Sequence, residues 1–299
     1  MSTATGSRQY GVDVFSPRPG AGNALAVVVG AAELDTSQMQ RIALWNNLAE
    51  TTFLLPPTQA GADYRLRIFT TRQEIAFAGH PTIGSAHVAR AAGLVDAGKR
   101  ELVQECQSGL LAVRSEGGGA ADGSALHSVR VPRSRVVPHG EEMTVLIDRA
   151  LARVERGALA PACVEGGRRW WLAELADEAT VRSMKPDRAA ILALARRNDA
   201  LGLCVFARAP AGRDYELVVR AFPLGVGIAE DPASGAANGA IAAFLDERGA
   251  LGALGDRFRV SQGREMGRDA ELVLQIDGER QVWVGGRCRV LVDGRFDWR

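Results

Sequence analysis

The sequence predicts an α+β protein made of two related halves, each with a sheet around one helix. Two stretches, residues 64–86 and residues 215–237, align with one another without a gap. Each stretch is a β-rich run that leads through x-Pro-x-x-Gly-x-Ala into an Ala-rich helix. A repeat with a period of about half the chain indicates a duplicated half rather than a solenoid of many units.

Length, composition and charge limit the class of protein. The chain has 299 residues, of which 46% are apolar, as expected for a globular protein of two domains. We place the halves at residues 1–132 and 133–299, and the final strand could cross back to the first half. The formal net charge of +1 gives no general attraction to nucleic acid or to an anionic membrane.

The cysteines and the apolar segments predict a soluble cytoplasmic protein without a metal site. The cysteines are widely spaced and form no Cys-x-x-Cys pair, unlike a disulfide framework or a zinc site. Residues 1–10 lack the basic-then-apolar order of a signal peptide. The longest apolar run, residues 24–32, is about half as long as a bilayer span requires.

Hydrophobic periodicity and turn residues predict the elements in chain order. A helix begins at Asp35 or Thr36, since Asp35 and Gln38 have the spacing of a capping box. The first half further contains strands near 12–15, 23–29, 51–55, 102–106, 110–114 and 129–132, and the repeat helix, which runs to about Ala92. The second half contains strands at 170–175, 203–207, 258–261, 271–276, 281–284 and 288–292, and helices at 188–197 and 235–247.

The two repeats predict a pair of helix starts. The first N–H groups of a helix lack partners within it, and the helix dipole makes that end attractive to anions. Asp231-Pro232 fits a cap followed by proline at the first helical position, and His80-Pro81 fits this rule less closely. Small residues follow each start and would let a ligand come close. Both starts could converge on one anionic small molecule, or they could be ordinary capped core helices.

A few other polar residues are candidates for chemistry. Glu50 lies between the first helix and the strand at 51–55, a place where a carboxylate is catalytic in some proteins and solvated in many others. We expect His87 to pack in the core and His127 and His139 to lie in loops. P-loop, dinucleotide-binding and nucleophile-elbow patterns are not present at the places where they would be meaningful.

Short motifs spread over nearly the whole chain form one further pattern. They are Gly22-Asn23, Asn47-Leu48-Ala49-Glu50-Thr51, Gly79-His80-Pro81-Thr82, Glu230-Asp231-Pro232, Gln262-Gly263 and Gly267-Arg268. In this order they resemble the phenazine-biosynthesis PhzF-like proteins, within the diaminopimelate epimerase fold. The resemblance implies two pseudo-symmetric halves, each a curled, mostly antiparallel half-barrel around a central helix, with the active site in the cleft between them. It also implies a homodimer and no cofactor.

The resemblance also implies roles for individual residues. In that family the glutamate of the Asn-Leu-x-Glu-Thr segment is the acid/base, which puts this role on Glu50. The histidine of Gly-His-Pro and the aspartate of Asp-Pro-x-x-Gly bind and orient the substrate, which points to His80 and Asp231. The helix starts around them add the remaining substrate-binding candidates, which are Gly79, Gly84, Ser85, Gly235 and Ala236.

This chain departs from its relatives at two points. Related epimerases and racemases carry a cysteine at each helix start, whereas the matching places here hold Gly79 and Asp231, and no cysteine is near either motif. Racemisation by two thiols is therefore disfavoured. The PhzF-like proteins commonly have serine where this chain has Ala236.

The predicted activity is a cofactor-independent isomerase that moves a proton by general acid/base catalysis. Its partner would be a small anionic or zwitterionic amino or hydroxy acid, as in the dihydro-hydroxyanthranilate isomerisation of phenazine biosynthesis, a branch of secondary metabolism. Two alternatives stay open. One is an epimerase or dehydratase of an amino-acid derivative on the same scaffold. The other is a non-catalytic small-molecule-binding homologue, because Ala236 removes a polar group from the expected site.

Overall fold

The computed structural model describes residues 7–96, 98–117 and 125–298. Within this part of the chain there are two compact units, and the predicted α+β fold with two halves is confirmed. The first unit comprises the described residues up to Arg130 together with those from Gly285 onward. The second unit comprises Val131–Val284.

The first unit is a mixed sheet of eight strands that closes on itself. Its long strands are β1 (Arg8–Val14), β2 (Asn23–Val29), β3 (Thr51–Leu55), β4 (Tyr64–Phe69), β6 (Glu101–Cys106), β7 (Gly109–Glu116), β8 (Leu126–Arg130) and β16 (Val282–Arg295). The short strand β5 (Glu74–Ile75) lies beside β4. The order is β1-β2-β3-β4-β6-β7-β8-β16, and β16 pairs again with β1, which closes the ring.

The helix inside this ring is α2 (Gly79–Ala91), and all of its residues from Gly79 to Arg90 are buried. It faces β1, β2, β3, β4, β7 and β8. Gly84 permits this close packing, because a Cβ there would lie 2.6 Å from the Leu25 side chain and 2.7 Å from that of Val14. The other helix of the unit, α1 (Thr36–Asn46), begins with the predicted capping box of Asp35 and Gln38, in which both hydrogen bonds are present.

The second unit is also a mixed sheet around one helix. Its strands are β9 (Arg135–Val137), β10 (Ala162–Gly166), β11 (Arg168–Glu174), β12 (Ala200–Arg208), β13 (Leu217–Phe222), β14 (Arg257–Gln262) and β15 (Ala270–Ile276), paired in the order β15-β14-β13-β12-β11-β10-β9. Its helices are α3 (Glu141–Ala150), α4 (Glu178–Ser183), α5 (Arg188–Arg197) and α6 (Gly235–Glu247). Helix α6 faces β9, β10, β11 and β15 and takes the place that α2 has in the first unit.

The strand pairing repeats between the units. From β1 to β2, β3, β4, β6 and β7 the pairs are antiparallel, parallel, antiparallel, parallel and antiparallel. From β10 to β11, β12, β13, β14 and β15 the same alternation occurs. The central helix follows the fourth strand in both series, so the duplication read from the sequence is a duplication of topology.

Several predicted elements need correction. The strands expected at 281–284 and 288–292 are one strand, β16, because Gly285 lies inside the sheet rather than in a turn. A Cβ at this glycine would lie 2.8 Å from the backbone oxygen of His127. His127 itself is in β8 and fully buried, so the expected loop position was wrong for it, while His139 does lie in a loop. None of the helices in the described residues combines the length and apolar character needed to cross a bilayer.

Candidate functional site

Glu50 lies in the short turn that joins α1 to β3. Asn47, the C-cap of α1, has a left-handed backbone with φ of 52°, which asparagine adopts more readily than most residues. Asn46 Nδ2 donates to Thr51 Oγ1 at 3.2 Å, so the residues on either side of the turn are joined. Gln9 Nε2 on β1 donates to Asn46 Oδ1 at 3.1 Å. These contacts hold Glu50 at a fixed place, with its side chain 17% exposed.

His80 lies in the first turn of α2 and directly faces Glu50. Its Nδ1 is 3.5 Å from Glu50 Oε2, and its side chain is 8% exposed. Burial lowers the pKa of His80 to about 3, although a hydrogen bond with the Ala24 backbone acts in the opposite direction. The imidazole is therefore neutral at neutral pH, and its contact with Glu50 is not a salt bridge.

The second ring nitrogen of His80 has a different environment. His80 Nε2 is buried and has no hydrogen-bond partner among the described residues. In a neutral imidazole one nitrogen carries the proton and the other accepts a hydrogen bond. We assign the proton to Nδ1, which faces the Glu50 carboxylate, and this leaves Nε2 as an acceptor.

The other predicted residues of α2 face the protein interior. Ser85 is fully buried, and its Oγ is 2.9 Å from Thr52 Oγ1 on β3. Gly84 packs against the sheet as described above, so neither residue presents a side chain to a ligand. Gly79 is the first residue of α2, and the N-cap residue Ala78 supplies no side-chain hydrogen bond to this helix end.

Asp231 does not cap α6, and the predicted capping role is wrong. The helix begins at Gly235, and its N-cap is Ser234, whose Oγ accepts a hydrogen bond from Ala237 N at 3.4 Å. Asp231 Oδ1 instead accepts from Ala233 N at 3.1 Å, which is the pattern of an Asx turn. Asp231 N donates to Ala221 O on β13 at 2.9 Å. An Asp-Pro pair is common in helix N-caps and in Asx turns, so the sequence pattern did not distinguish between the two.

The Asp231 carboxyl has a shifted pKa. Burial raises the pKa of Asp231, and hydrogen bonds from Ala233 N and the Ser234 side chain partly oppose this shift. The thiol of Cys204 on β12 interacts electrostatically with this carboxyl. A cysteine is therefore near the second motif in space, although not in sequence. Burial raises the pKa of Cys204, so the thiol is neutral and is not a base at neutral pH.

Gly235 and Ala236 form the first turn of α6. Gly235 is buried, whereas Ala236 is exposed and presents a methyl group. Ser234 does not replace the missing hydroxyl, because it is buried and its Oγ caps the helix.

The predicted site residues therefore fall into two groups. Glu50 and His80 are in direct contact in the first unit, and Asp231, Gly235 and Ala236 lie on one segment of the second unit. The described residues contain no group of three or more His, Cys, Asp or Glu side chains able to hold a metal ion. Sequence reasoning missed the contacts that Asn46 makes with Gln9 and Thr51, because the pattern around an amide does not predict its partners.

The structure combines a duplicated α+β fold with a carboxylate and a neutral imidazole in contact at the start of a central helix. Residues 12–294 match the phenazine biosynthesis-like proteins, PhzC-PhzF. The chain belongs to this family, and the resemblance seen in its motifs is confirmed.

Individual relatives cover nearly the whole chain. The trans-2,3-dihydro-3-hydroxyanthranilate isomerase of Pseudomonas aeruginosa is 30% identical, over 95% of this chain and 97% of its own. Antisense-enhancing sequence 1 of Schizosaccharomyces pombe is 31% identical, over 95% and 96%. The crystal structure of a PhzF-family phenazine biosynthesis protein of Bacillus anthracis has the same fold, with a TM-score of 0.82 at 21% identity, covering 98% of this chain and 99% of that one. The relatives named as isomerases identify the protein as an isomerase, as predicted.

Proposed function

We propose that this isomerase moves a proton on a small amino or hydroxy acid by general acid/base catalysis at Glu50, without a cofactor. The observation that carries the proposal is the 3.5 Å contact between the Glu50 carboxylate and a buried imidazole. Because burial holds His80 neutral, the Glu50 carboxylate is not engaged in an ion pair with it. Glu50 can then take a proton from an activated carbon and return it elsewhere on the same face.

Three further groups bind and orient the substrate in this proposal. His80 Nε2, as a buried acceptor, suits an ammonium or hydroxyl hydrogen of the substrate. The first N–H groups of α2 suit a carboxylate or developing negative charge, since no side chain of the N-cap residue occupies them. The raised pKa of Asp231 favours a protonated carboxyl that can donate a hydrogen bond. The substrate is accordingly a small anionic or zwitterionic molecule.

Deuterium exchange tests the proposal. Wild type and Glu50→Gln would be incubated in D₂O with trans-2,3-dihydro-3-hydroxyanthranilate and a panel of amino and hydroxy acids, and the label followed by NMR. We expect exchange by wild type and a loss of about 10²-fold or more in the variant, since well-placed acid/base groups contribute 10²–10⁴-fold. A matched control, Glu33→Gln, changes an exposed loop carboxylate and should exchange like wild type. Turnover of Glu50→Gln within about tenfold of wild type would remove Glu50 from the mechanism.

A second candidate function is ligand binding without catalysis. It is favoured by Ala236, whose exposed methyl group offers no hydrogen bond to a substrate. A binder would be thermally stabilised by one of the panel compounds yet leave its C–H bonds unexchanged. The same panel therefore separates the two functions.

The assembly and location of the protein complete the proposal. We propose a homodimer, as the family resemblance implies, and a cytoplasmic location, as the widely spaced cysteines predict. Light scattering of the purified protein at micromolar concentration would give the mass of a dimer, and a monomer mass would contradict this part.

A further inference from the structure

Gln262, the last residue of β14, is fully buried and makes three hydrogen bonds through its amide. Its Nε2 donates to Asp231 O at 2.7 Å. Its Oε1 accepts from Ser234 N at 3.3 Å and from Asn238 Nδ2 at 2.8 Å. The oxygen faces two donors and the nitrogen faces a carbonyl, so the orientation of the amide is determined. One side chain thus holds both ends of the turn from Asp231 to Ser234.

Two neighbours complete this arrangement. Asn238, in the first turn of α6, also donates from Nδ2 to Ser234 O at 2.8 Å. Gly263 follows Gln262 with φ of 94°, and a Cβ there would lie 2.5 Å from Pro232 O. A side chain at this position would push the turn away from β14. The Gln262-Gly263 pair therefore shapes the turn by hydrogen bonding and by close approach.

The residue before Asp231 is anchored independently. Arg220 on β13 donates from Nε and Nη2 to the two carboxylate oxygens of Glu230, at 2.8 and 3.0 Å. Arg220 Nη1 also donates to the backbone oxygens of Val181 and Met184, which fixes the guanidinium. Asp231 follows this ion pair and is the first residue of the turn that Gln262 contacts; its N–H is also bonded to Ala221 O on β13.

We propose that Gln262 is a positioning residue, which holds the Asp231–Ser234 turn so that the Asp231 carboxyl and the start of α6 keep one geometry. The consequence for activity rests on the proposed function, in which Asp231 binds the substrate. The effect on the turn does not rest on it. A displacement of about 1 Å in a substrate-orienting group can lower a rate by about 10²-fold.

The effect on the turn is tested first, in the ligand-free protein. Gln262→Met keeps the approximate volume of the side chain and removes all three hydrogen bonds. We expect the backbone amide of Ser234 to exchange with D₂O at least tenfold faster, because it loses its acceptor. The control Gln275→Met removes an amide on β15 that accepts from Arg257 at the surface, and Ser234 should stay protected. Unchanged exchange of Ser234 in a folded Gln262→Met protein would overturn the proposal.

A second variant is needed if Gln262→Met does not fold, which the absence of a cooperative unfolding transition on heating would show. Gln262→Asn retains the amide but is one methylene shorter, so it cannot reach both ends of the turn. We expect a smaller increase in Ser234 exchange in the same direction. No increase in this folded variant would count against the proposal in the same way.

A double-mutant cycle with Asp231→Asn then tests whether Gln262 acts through Asp231. With trans-2,3-dihydro-3-hydroxyanthranilate as the probe, Gln262→Met should lower kcat/KM by about 10- to 10²-fold. In the Asp231→Asn background the same change should cost less than about threefold. Fully additive losses would show that Gln262 acts independently of Asp231 and would overturn the proposal. If Gln262→Met showed faster Ser234 exchange while Asp231→Asn kept the kcat/KM of wild type, the substrate-binding role of Asp231 in the proposed function would be overturned.

Discussion

The two repeated stretches share a sequence pattern but begin their helices at different points. In the aligned repeats Gly79 matches Glu230. Helix α2 begins at Gly79, so His80 lies in its first turn. Helix α6 begins only at Gly235, so Asp231 lies in a turn before the helix. Duplication thus preserved the topology of the halves while the helix starts diverged.

The two starts are also stabilised differently. The first turn of α2 is held by packing, since every residue from Gly79 to Arg90 is buried inside the closed sheet. The segment before α6 is held by polar side chains, chiefly Gln262 and Ser234. A packed start tolerates loss of a hydrogen bond but little added volume, whereas a start held by side chains should respond to the loss of single polar groups.

The largest contrast should appear in acid. His87 Nδ1 is 3.2 Å from His127 Nε2 in the first unit, and burial lowers the pKa of His87 to about 4 and that of His127 to about 3. Unfolded histidines titrate near 6.5, so the unfolded chain binds protons first as the pH falls. Stability should be full above about pH 7 and decrease by several kcal/mol between pH 6.5 and 4.

Urea unfolding measured across this pH range checks the expectation. His87→Leu combined with His127→Leu removes both polar partners and should reduce the pH dependence, and the lowered pKa of His80 accounts for the part that stays. His139→Gln, which changes the loop histidine of the second unit, should leave it in place. An unchanged slope in the double variant would place the acid sensitivity elsewhere.

The next contrast concerns activity at the two starts. His80→Phe removes both the contact with Glu50 and the Nε2 acceptor, and we expect exchange activity to fall by about 10²-fold. Asp231→Asn keeps the shape and the hydrogen bond from Ala233 N, and should cost about tenfold, mostly in KM. Steady-state kinetics of the two variants check this expectation. A larger loss of kcat in Asp231→Asn than in His80→Phe would contradict it.

A smaller contrast concerns added volume in the two central helices. Gly84→Ala brings a methyl group to 2.6 Å from the Leu25 side chain, and overpacking of a core costs about 1–3 kcal/mol. The helix propensity of alanine offsets about 1 kcal/mol of this. At Gly239 in α6 the nearest atom, on Val131, would be 3.0 Å away, so Gly239→Ala should destabilise less than Gly84→Ala. Urea denaturation would measure the free energy of unfolding of both variants. Equal losses of stability would contradict the expected difference in packing.

The smallest effect should come from the caps. Ser234→Ala removes the hydroxyl that accepts from Ala237 N and should destabilise the protein by about 1 kcal/mol. Ala78→Ser adds a hydroxyl at the extended N-cap of α2 and should stabilise by a similar amount. The new hydroxyl would also occupy an N–H group of α2, so exchange activity should fall as thermal stability rises. Unchanged activity in a stabilised Ala78→Ser protein would exclude these N–H groups from substrate binding.

Local patterns in the sequence predicted much of the fold. The repeat identified the two halves, and the capping box of Asp35 and Gln38 was correct because its hydrogen bonds depend on residues three apart. Elements governed by distant contacts were not predictable in this way. Gly285 looked like a turn residue, but it lies in β16 because the backbone of β8 passes close by. Strand β10 and helix α3 were missed, although Met143, Ile147 and Ala150 recur at helical spacing in α3.

In the candidate site, too, local motifs were predictable and contacts between distant residues were not. The motifs named Glu50 and His80, and the structure brings these two side chains into contact. The protonation state of His80 follows from burial, which depends on the whole closed sheet around α2. The turn at Asp231 depends on Gln262, which is distant in sequence and whose partners only the register of β14 reveals.

The closing strand has a consequence for the order of events during synthesis. Strand β16 pairs with β1 in a register that joins Arg8 to Arg295, and it is also the neighbour of β8. A nascent chain therefore carries two open sheet edges, at β1 and β8, until β16 has left the ribosome. Open edges invite pairing with other chains, and distant pairings form slowly. A chain released before β16 would expose both edges and be prone to aggregate, although every residue of the Glu50–His80 pair had already been made.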